Sequence, residues 1–220
     1  MRKAIIISTK NPTELLLTNI YKCKLYYNDF DIIIIDSNST ETEIFNKIPP
    51  DVIIDYAKNN NYVLGAWKYA INKYDYDLYL FIQDSLIPLE RIKELDNIND
   101  FSNIMFDIPY NAYISVSGLE LNLTEFNRLR NIYINTKFSF ISNMPHNTII
   151  TGCAHISFLA NKEISKKLIE LEDVYQEKGI NKTKTDCRLS ERALGILADH
   201  YKINRLSMKN YFEKINLGRN

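Results

Sequence analysis

Three polar clusters follow apolar runs early in the chain: Ser8-Thr9-Lys10, Asp36-Ser37-Asn38-Ser39 and Gln83-Asp84-Ser85. The last is the most pointed. The stretch "YDLYLFIQDSLIP" drives an apolar run into one carboxylate, Asp84, and returns at once to Leu86, Ile87 and Pro88. A carboxylate at the end of a buried strand either holds a metal or a ligand, or it is a turn residue. Residue types alone leave both readings open. Other chemistries are excluded more firmly. There is no Gly-rich loop ending in Gly-Lys-Ser/Thr, no G-x-G-x-x-G and no G-x-S-x-G. Three scattered histidines (His146, His155, His200) argue against a histidine-based zinc site. A phosphate here needs other means, such as a divalent cation shared with carboxylates.

The elements that must position these clusters are legible. "AIIIST" (4–9), "DIIIID" (31–36), "DVIIDY" (51–56) and "DLYLFI" (77–82) are short, apolar and mostly β-branched, the pattern of strands buried on both faces. Helical spacing is expected between them over 13–27 and 64–74, with a shorter helix over 40–46. Strand and helix in alternation predict an α/β domain with a mainly parallel central sheet flanked by helices. If the strands are parallel, all three polar clusters meet at one edge, where such sheets bind ligands. The second half is less regular. A strand is expected within 111–122, a strand with a glycine break over 148–160, and helices over 163–176 and 190–201, the last capped by Ser190. The final twenty residues read as a strand or helix with a frayed end.

At 220 residues a single domain, 1–220, is the simplest organisation. Twenty-seven basic residues balance 27 acidic ones, so no global field recruits nucleic acid. Three widely spaced cysteines suit neither a disulfide framework nor a zinc site. The apolar run after "MRK" is too short for a signal-peptide core, and no segment approaches the roughly 18 apolar residues of a membrane span. The expectation is a cytoplasmic protein.

"DSNSTE" (36–41), closing a β-branched strand, resembles the Asp-Asp-Gly-Ser-Thr-Asp segment of nucleotide-sugar glycosyltransferases of the GT-A fold, inverting and family-two-like. From Asn60, "NNYVLGAWKYAINKYDYDLYLFIQDSLIP" resembles that family's Asn-x-Gly helix, and the strand leading into its Asp-x-Asp metal motif and a proline. The order holds from residue 4 to about 90. Beyond it, "GCAHISFLANKEI" and "DCRLSERALGIL" resemble the acceptor-side strand and the acidic helix. The resemblance implies a single Rossmann-like GT-A domain, with a nucleotide-sugar half (1–90) and an acceptor-side half (91–220). It implies transfer of a sugar from a nucleoside-diphosphate donor to the hydroxyl of a glycan or other acceptor, with Mn2+ or Mg2+ as cofactor.

Residue by residue, Asp36 would accept hydrogen bonds from the base or ribose. Thr9, Lys10, Ser39, Asn60 and Gln83 would line the donor pocket. Lys68 stands where the family has Asn; it either approaches the diphosphate or is a solvated lysine. Trp67 is expected in the core rather than as a sugar platform. His155 would orient the acceptor, or reach a metal or phosphate. Arg188 or Arg192 would stabilise the departing diphosphate. Glu191 is the candidate base for the acceptor hydroxyl, with Asp186 in reserve. The family's metal motif, anchored on Pro88, falls on Gln83-Asp84-Ser85, so both usual acidic positions are changed. Asp84 ligates the metal if the strand slips by one; otherwise basic residues neutralise the diphosphate. The altered motif also suits a rival reading, a catalytically degenerate nucleotide-sugar or glycan-binding module. A sugar-nucleotide transferase would need a Gly-rich basic segment after the first strand, which "STKNPTE" does not supply.

Overall fold

The computed structural model describes residues 1–58, 62–96, 103–107, 123–145, 152–180 and 184–215. Strands β1 (Lys3–Thr9), β2 (Asp31–Asp36), β3 (Ile53–Tyr56) and β4 (Leu78–Gln83) form one parallel block in the order β3-β2-β1-β4. The sheet continues through β7 (Phe158–Asn161), antiparallel to its neighbours, then β6 (Ile104–Asp107) and β8 (Asn204–Ser207), which pair in parallel. A second, two-stranded sheet joins β5 (Leu86–Pro88) to β9 (Phe212–Lys214). This is a mixed α/β architecture with a largely parallel seven-stranded sheet.

The β-branched runs form strands because successive side chains leave opposite faces and both faces are covered. Ala4, Ile6, Ile33, Ile35, Tyr79 and Phe81 face one apolar layer; Ile5, Ile7, Ile32, Ile34, Leu80 and Ile82 face the other. The first layer is covered by α2 (Tyr62–Lys73), α5 (Lys162–Ile169), α6 (Leu171–Glu177) and α7 (Lys184–His200), through Trp67, Leu168, Val174 and Leu189 among others. Helix α3 (Leu123–Tyr133) and the single turn α4 (Ser139–Ser142) extend it with Phe126, Leu129 and Ile141. The second layer is covered by α1 (Glu14–Tyr26), which is capped by Thr13 and buries Leu16, Ile20 and Cys23. Each fully buried leucine or isoleucine contributes roughly 1.5–3 kcal/mol, so the sheet's centre is the most firmly fixed part of the molecule.

Several expectations are corrected. The helix expected over 163–176 is two helices that meet at Glu170, where a tighter turn lets Leu168, Leu171 and Val174 all reach the core. The helix expected from Ser190 begins at Lys184, so Ser190 is an interior residue and not a cap. Its hydroxyl donates to the Asp186 carbonyl one turn back, at 2.9 Å. The strand expected over 148–160 starts only at Phe158, because His155 and Ile156 have φ of 51° and 55° and turn the chain sharply. Residues 148–151, the strand expected within 111–122, and Asn60 lie outside the described residues. Strand β6 was not anticipated; its four residues, "IMFD", sit in a polar stretch without a recognisable period.

Candidate active site

The three polar clusters do meet at one edge, because β1 lies between β2 and β4. Their backbones extend the ladder past the strand ends: Ser37 N–H donates to Thr9 O (2.9 Å) and Asp84 N–H to Ser8 O (3.0 Å). Thr9 Oγ1 donates to the buried Asp84 carboxylate at 2.6 Å. The Asp36 carboxylate accepts the Ser39 N–H (3.1 Å) and the Ser39 hydroxyl. The loops after β1 and β2 are tied together, since Asn11 N–H donates to Ser39 Oγ (2.6 Å) and Asn11 Oδ1 accepts the Thr40 N–H (2.8 Å). Asn11 and Asn38 take φ of 49° and 66° in these loops, a conformation asparagine tolerates better than most residues.

The turn that carries Asp84 is held from below. Asn19, fully buried on α1, donates to the carbonyls of Gln83 (3.3 Å), Asp84 (3.2 Å) and Leu86 (2.9 Å). From above, Gln83 Nε2 donates to the His155 carbonyl at 2.9 Å, and Trp67 Nε1 donates to the Ile156 carbonyl at 3.0 Å. Left-handed conformations at two successive non-glycine residues cost about 1–3 kcal/mol each and persist only where neighbours enforce them. These two bonds supply that enforcement, and they bring the 152–157 turn against the end of β4.

That turn receives α7. Cys153 N–H donates to the Glu191 carbonyl (2.8 Å), and His155 N–H to the Glu191 carboxylate. Burial pushes the Glu191 carboxyl up to about 7, against the opposing pull of Arg192, Arg188, the His155 N–H and Lys214. Burial, and then Lys214, push His155 down to about 4, so its imidazole is neutral at pH 7. A Cβ on Gly152 would lie 2.4 Å from Arg192 Nη1, so that guanidinium passes over bare backbone. Arg192 Nε and Ser37 Oγ are buried without a hydrogen-bond partner among the described residues. Lys214 completes the site: its ammonium donates to Ser85 Oγ and, at 3.5 Å, to Gln83 Oε1.

Thus Thr9, Asp36, Ser39, Gln83, Asp84, His155, Glu191 and Arg192 lie on the elements gathered at this edge. Arg188 is exposed one turn before Arg192 on α7. Two candidates are placed elsewhere. Lys68 pairs with Asp173 and Gln176 on α6. Asp186 is fully buried and paired with Arg128 at 2.7 Å, in a network that includes Ser190 and Tyr175. Trp67 is core, packed on Phe81. Two contributors were missed in the sequence. Asn19 sits on the buried stripe Leu16, Ile20, Cys23, and a polar residue on an apolar helix face was the available signal. Lys214 follows Phe212 on a three-residue strand, too short for a period to show.

A divalent cation at this edge would need charged oxygen ligands. Among the described residues no three His, Cys, Asp or Glu side chains gather as a metal site. Where the acidic pair would stand, Gln83 and Ser85 offer neutral oxygens, both already accepting from an ammonium, while Asp84 accepts from Thr9. Mg2+ and Mn2+ prefer charged oxygens, and a resident ammonium repels them. The donor set does not fit a bound divalent ion.

No family model and no curated protein matches the sequence. Solved structures do. S. aureus TarS is similar over 98% of this chain and 37% of its own, at 13% identity and a TM-score of 0.53. TarS 1–349 in complex with UDP is similar over 96% of this chain and 60% of its own, at 12% identity and a TM-score of 0.50. The mannosyltransferase PcManGT from Pyrobaculum calidifontis, in complex with GDP-Man and Mn2+, is similar over 49% of this chain and 36% of its own, at 16% identity and a TM-score of 0.38. This chain therefore spans less than two thirds of each of these chains. The likeness shows a shared mixed α/β fold, with a largely parallel sheet flanked by helices. No described helix is long and apolar enough to cross a membrane.

Proposed function

We propose that this chain is a glycosyltransferase that moves a sugar from a nucleoside-diphosphate donor to an acceptor hydroxyl in glycan synthesis. The observation that carries the reading is the meeting of two groups of residues. The donor-side loops of β1, β2 and β4 lie at one edge, and α7 brings them a carboxylate whose proton affinity suits a base near neutral pH. The UDP bound in one similar structure is a nucleoside diphosphate, the kind of leaving group such a transfer releases.

In this reading residues 1–90 hold the donor and 91–220 the acceptor, within one domain. Asp36, fixed by Ser39, faces the nucleoside, and Thr9 and Asp84 shape the floor beneath the diphosphate. Glu191 accepts the proton of the acceptor hydroxyl as its oxygen attacks the anomeric carbon. The bond from that carbon to the diphosphate oxygen breaks, and its electron pair leaves with the diphosphate. A single displacement of this kind inverts the anomeric centre. Neutral His155 orients the acceptor, and Arg192, with Arg188 nearby, offsets the charge that develops on the leaving group.

The test is release of nucleoside diphosphate from a panel of nucleotide sugars by the purified protein, with EDTA or with Mn2+. Release that Glu191→Gln abolishes supports the reading. Binding without release or transfer under either condition overturns it in favour of a nucleotide-sugar- or glycan-binding module.

A further inference from the structure

Lys214 is a charged residue on an inward face. It shares its side of β9 with buried Phe212, while Glu213 on the other side is exposed. Its backbone is fixed by the register Leu86 to Lys214 and by Ile215 N–H donating to Ser85 O at 3.0 Å. The strand is anchored by Phe212 packed edge-on to Phe106 (5.0 Å) and by Leu89 N–H on the Tyr211 carbonyl (2.8 Å). The ammonium is thereby delivered to Gln83 and Ser85, the two residues that flank Asp84 at the end of β4.

Resting on the glycosyltransferase reading, we propose that Lys214 is a built-in cation for the donor's diphosphate, standing in the place of a divalent metal ion. Three features point the same way. The oxygens that would bind a metal are neutral amide and hydroxyl groups, and these act instead as acceptors that aim the ammonium. The charge arrives on a strand pinned at both ends, so little conformational freedom remains to be lost when a ligand binds. The charge of Lys214 also acts electrostatically on His155 and Glu191, so it is felt at the base as well as at the donor edge. As the anomeric carbon–oxygen bond breaks, the extra negative charge on the diphosphate develops beside this ammonium and Arg192.

The experiment is calorimetric titration of the full chain with UDP, GDP, ADP, CDP and dTDP, and with the matching free nucleosides, in EDTA and in Mn2+. Wild type, Lys214→Met and Lys214→Arg are compared, with thermal melts confirming that each is folded. The expected result is diphosphate binding by wild type in EDTA with no more than about a threefold gain from Mn2+. Lys214→Met should lose about 10- to 100-fold in diphosphate affinity, the range of one charge-assisted hydrogen bond. It should leave nucleoside affinity unchanged, and Lys214→Arg should restore most of the diphosphate affinity. Diphosphate binding that requires Mn2+, or that Lys214→Met leaves intact, overturns the proposal while the glycosyltransferase reading stands. No binding of any nucleotide in either buffer overturns both.

Discussion

Replacing Glu191 by glutamine removes a carboxyl that the fold holds protonated well above its ordinary range, and with it a pH-dependent contribution to stability. The group titrates at 4.5 when unperturbed and at about 7 in the folded chain. Between those values the native state binds more protons than the unfolded one, so stability is fully present below 4.5 and declines as pH rises through about 7. At about 1.4 kcal/mol per pH unit, wild type loses roughly 2–3 kcal/mol between pH 5 and pH 8 through this one group. Glutamine keeps the size and an acceptor for the His155 N–H but has no charge to desolvate. Urea unfolding of both proteins at both pH values isolates the effect, since other titrating groups cancel in the double difference. Glu191→Gln should gain on wild type by roughly 2–3 kcal/mol on going from pH 5 to pH 8. Activity runs the opposite way, because the base works only when ionised. Wild-type kcat/KM should rise with pH and level off above about 7, and Glu191→Gln should lose about 100-fold or more at the plateau. An unchanged stability gap between the two pH values refutes the burial argument. A pH-independent kcat/KM refutes Glu191 as base.

Three further outcomes follow from particular contacts. Gly152→Ala forces Arg192 Nη1 from its place; because that atom ends a flexible side chain, urea stability should fall by less than about 1 kcal/mol while kcat/KM drops about tenfold. Asn19→Ala leaves the buried Gln83, Asp84 and Leu86 carbonyls without their amide donor, and should destabilise by about 1–3 kcal/mol in urea and weaken nucleotide affinity in calorimetry. Asp186→Asn strips Arg128 of its buried partner and should lower stability by about 1–3 kcal/mol, yet leave kcat/KM within about threefold, which separates it from Glu191.

The part of the fold that was legible is the part fixed by local chemistry. "AIIIST", "DIIIID" and "DLYLFI" could only be strands covered on both faces, and the polar residues after them had to gather if those strands were parallel. The bounds of α1, expected over 13–27 and found at Glu14–Tyr26, were legible within a residue. What failed depends on contacts distant in sequence. Ser190 has the chemistry of a cap but serves Asp186 and Tyr175 inside α7. The turn at His155 and Ile156 takes left-handed φ without glycine, because Gln83 and Trp67 reach across from β4 and α2 to hold it. Of the site, Asp36, Asp84 and Glu191 were visible as carboxylates at strand ends or on an acidic helix. Lys68 and Asp186 were visible too, but α6 and α3 claim them. Lys214 was not visible, since only the pairing of β9 with β5 carries it from the far end of the chain to Ser85.

Backbone-amide NMR during titration with nucleotide sugars would show whether the edge formed by β1, β2 and β4 is the nucleotide-sugar site proposed above. Saturable shifts should concentrate at Thr9, Ser37 to Ser39, Gln83 to Ser85, His155 and Glu191. Shifts confined instead to the surface hollow lined by Asn127, Arg128, Asn131 and Ile180, or no shift with any donor, would contradict it.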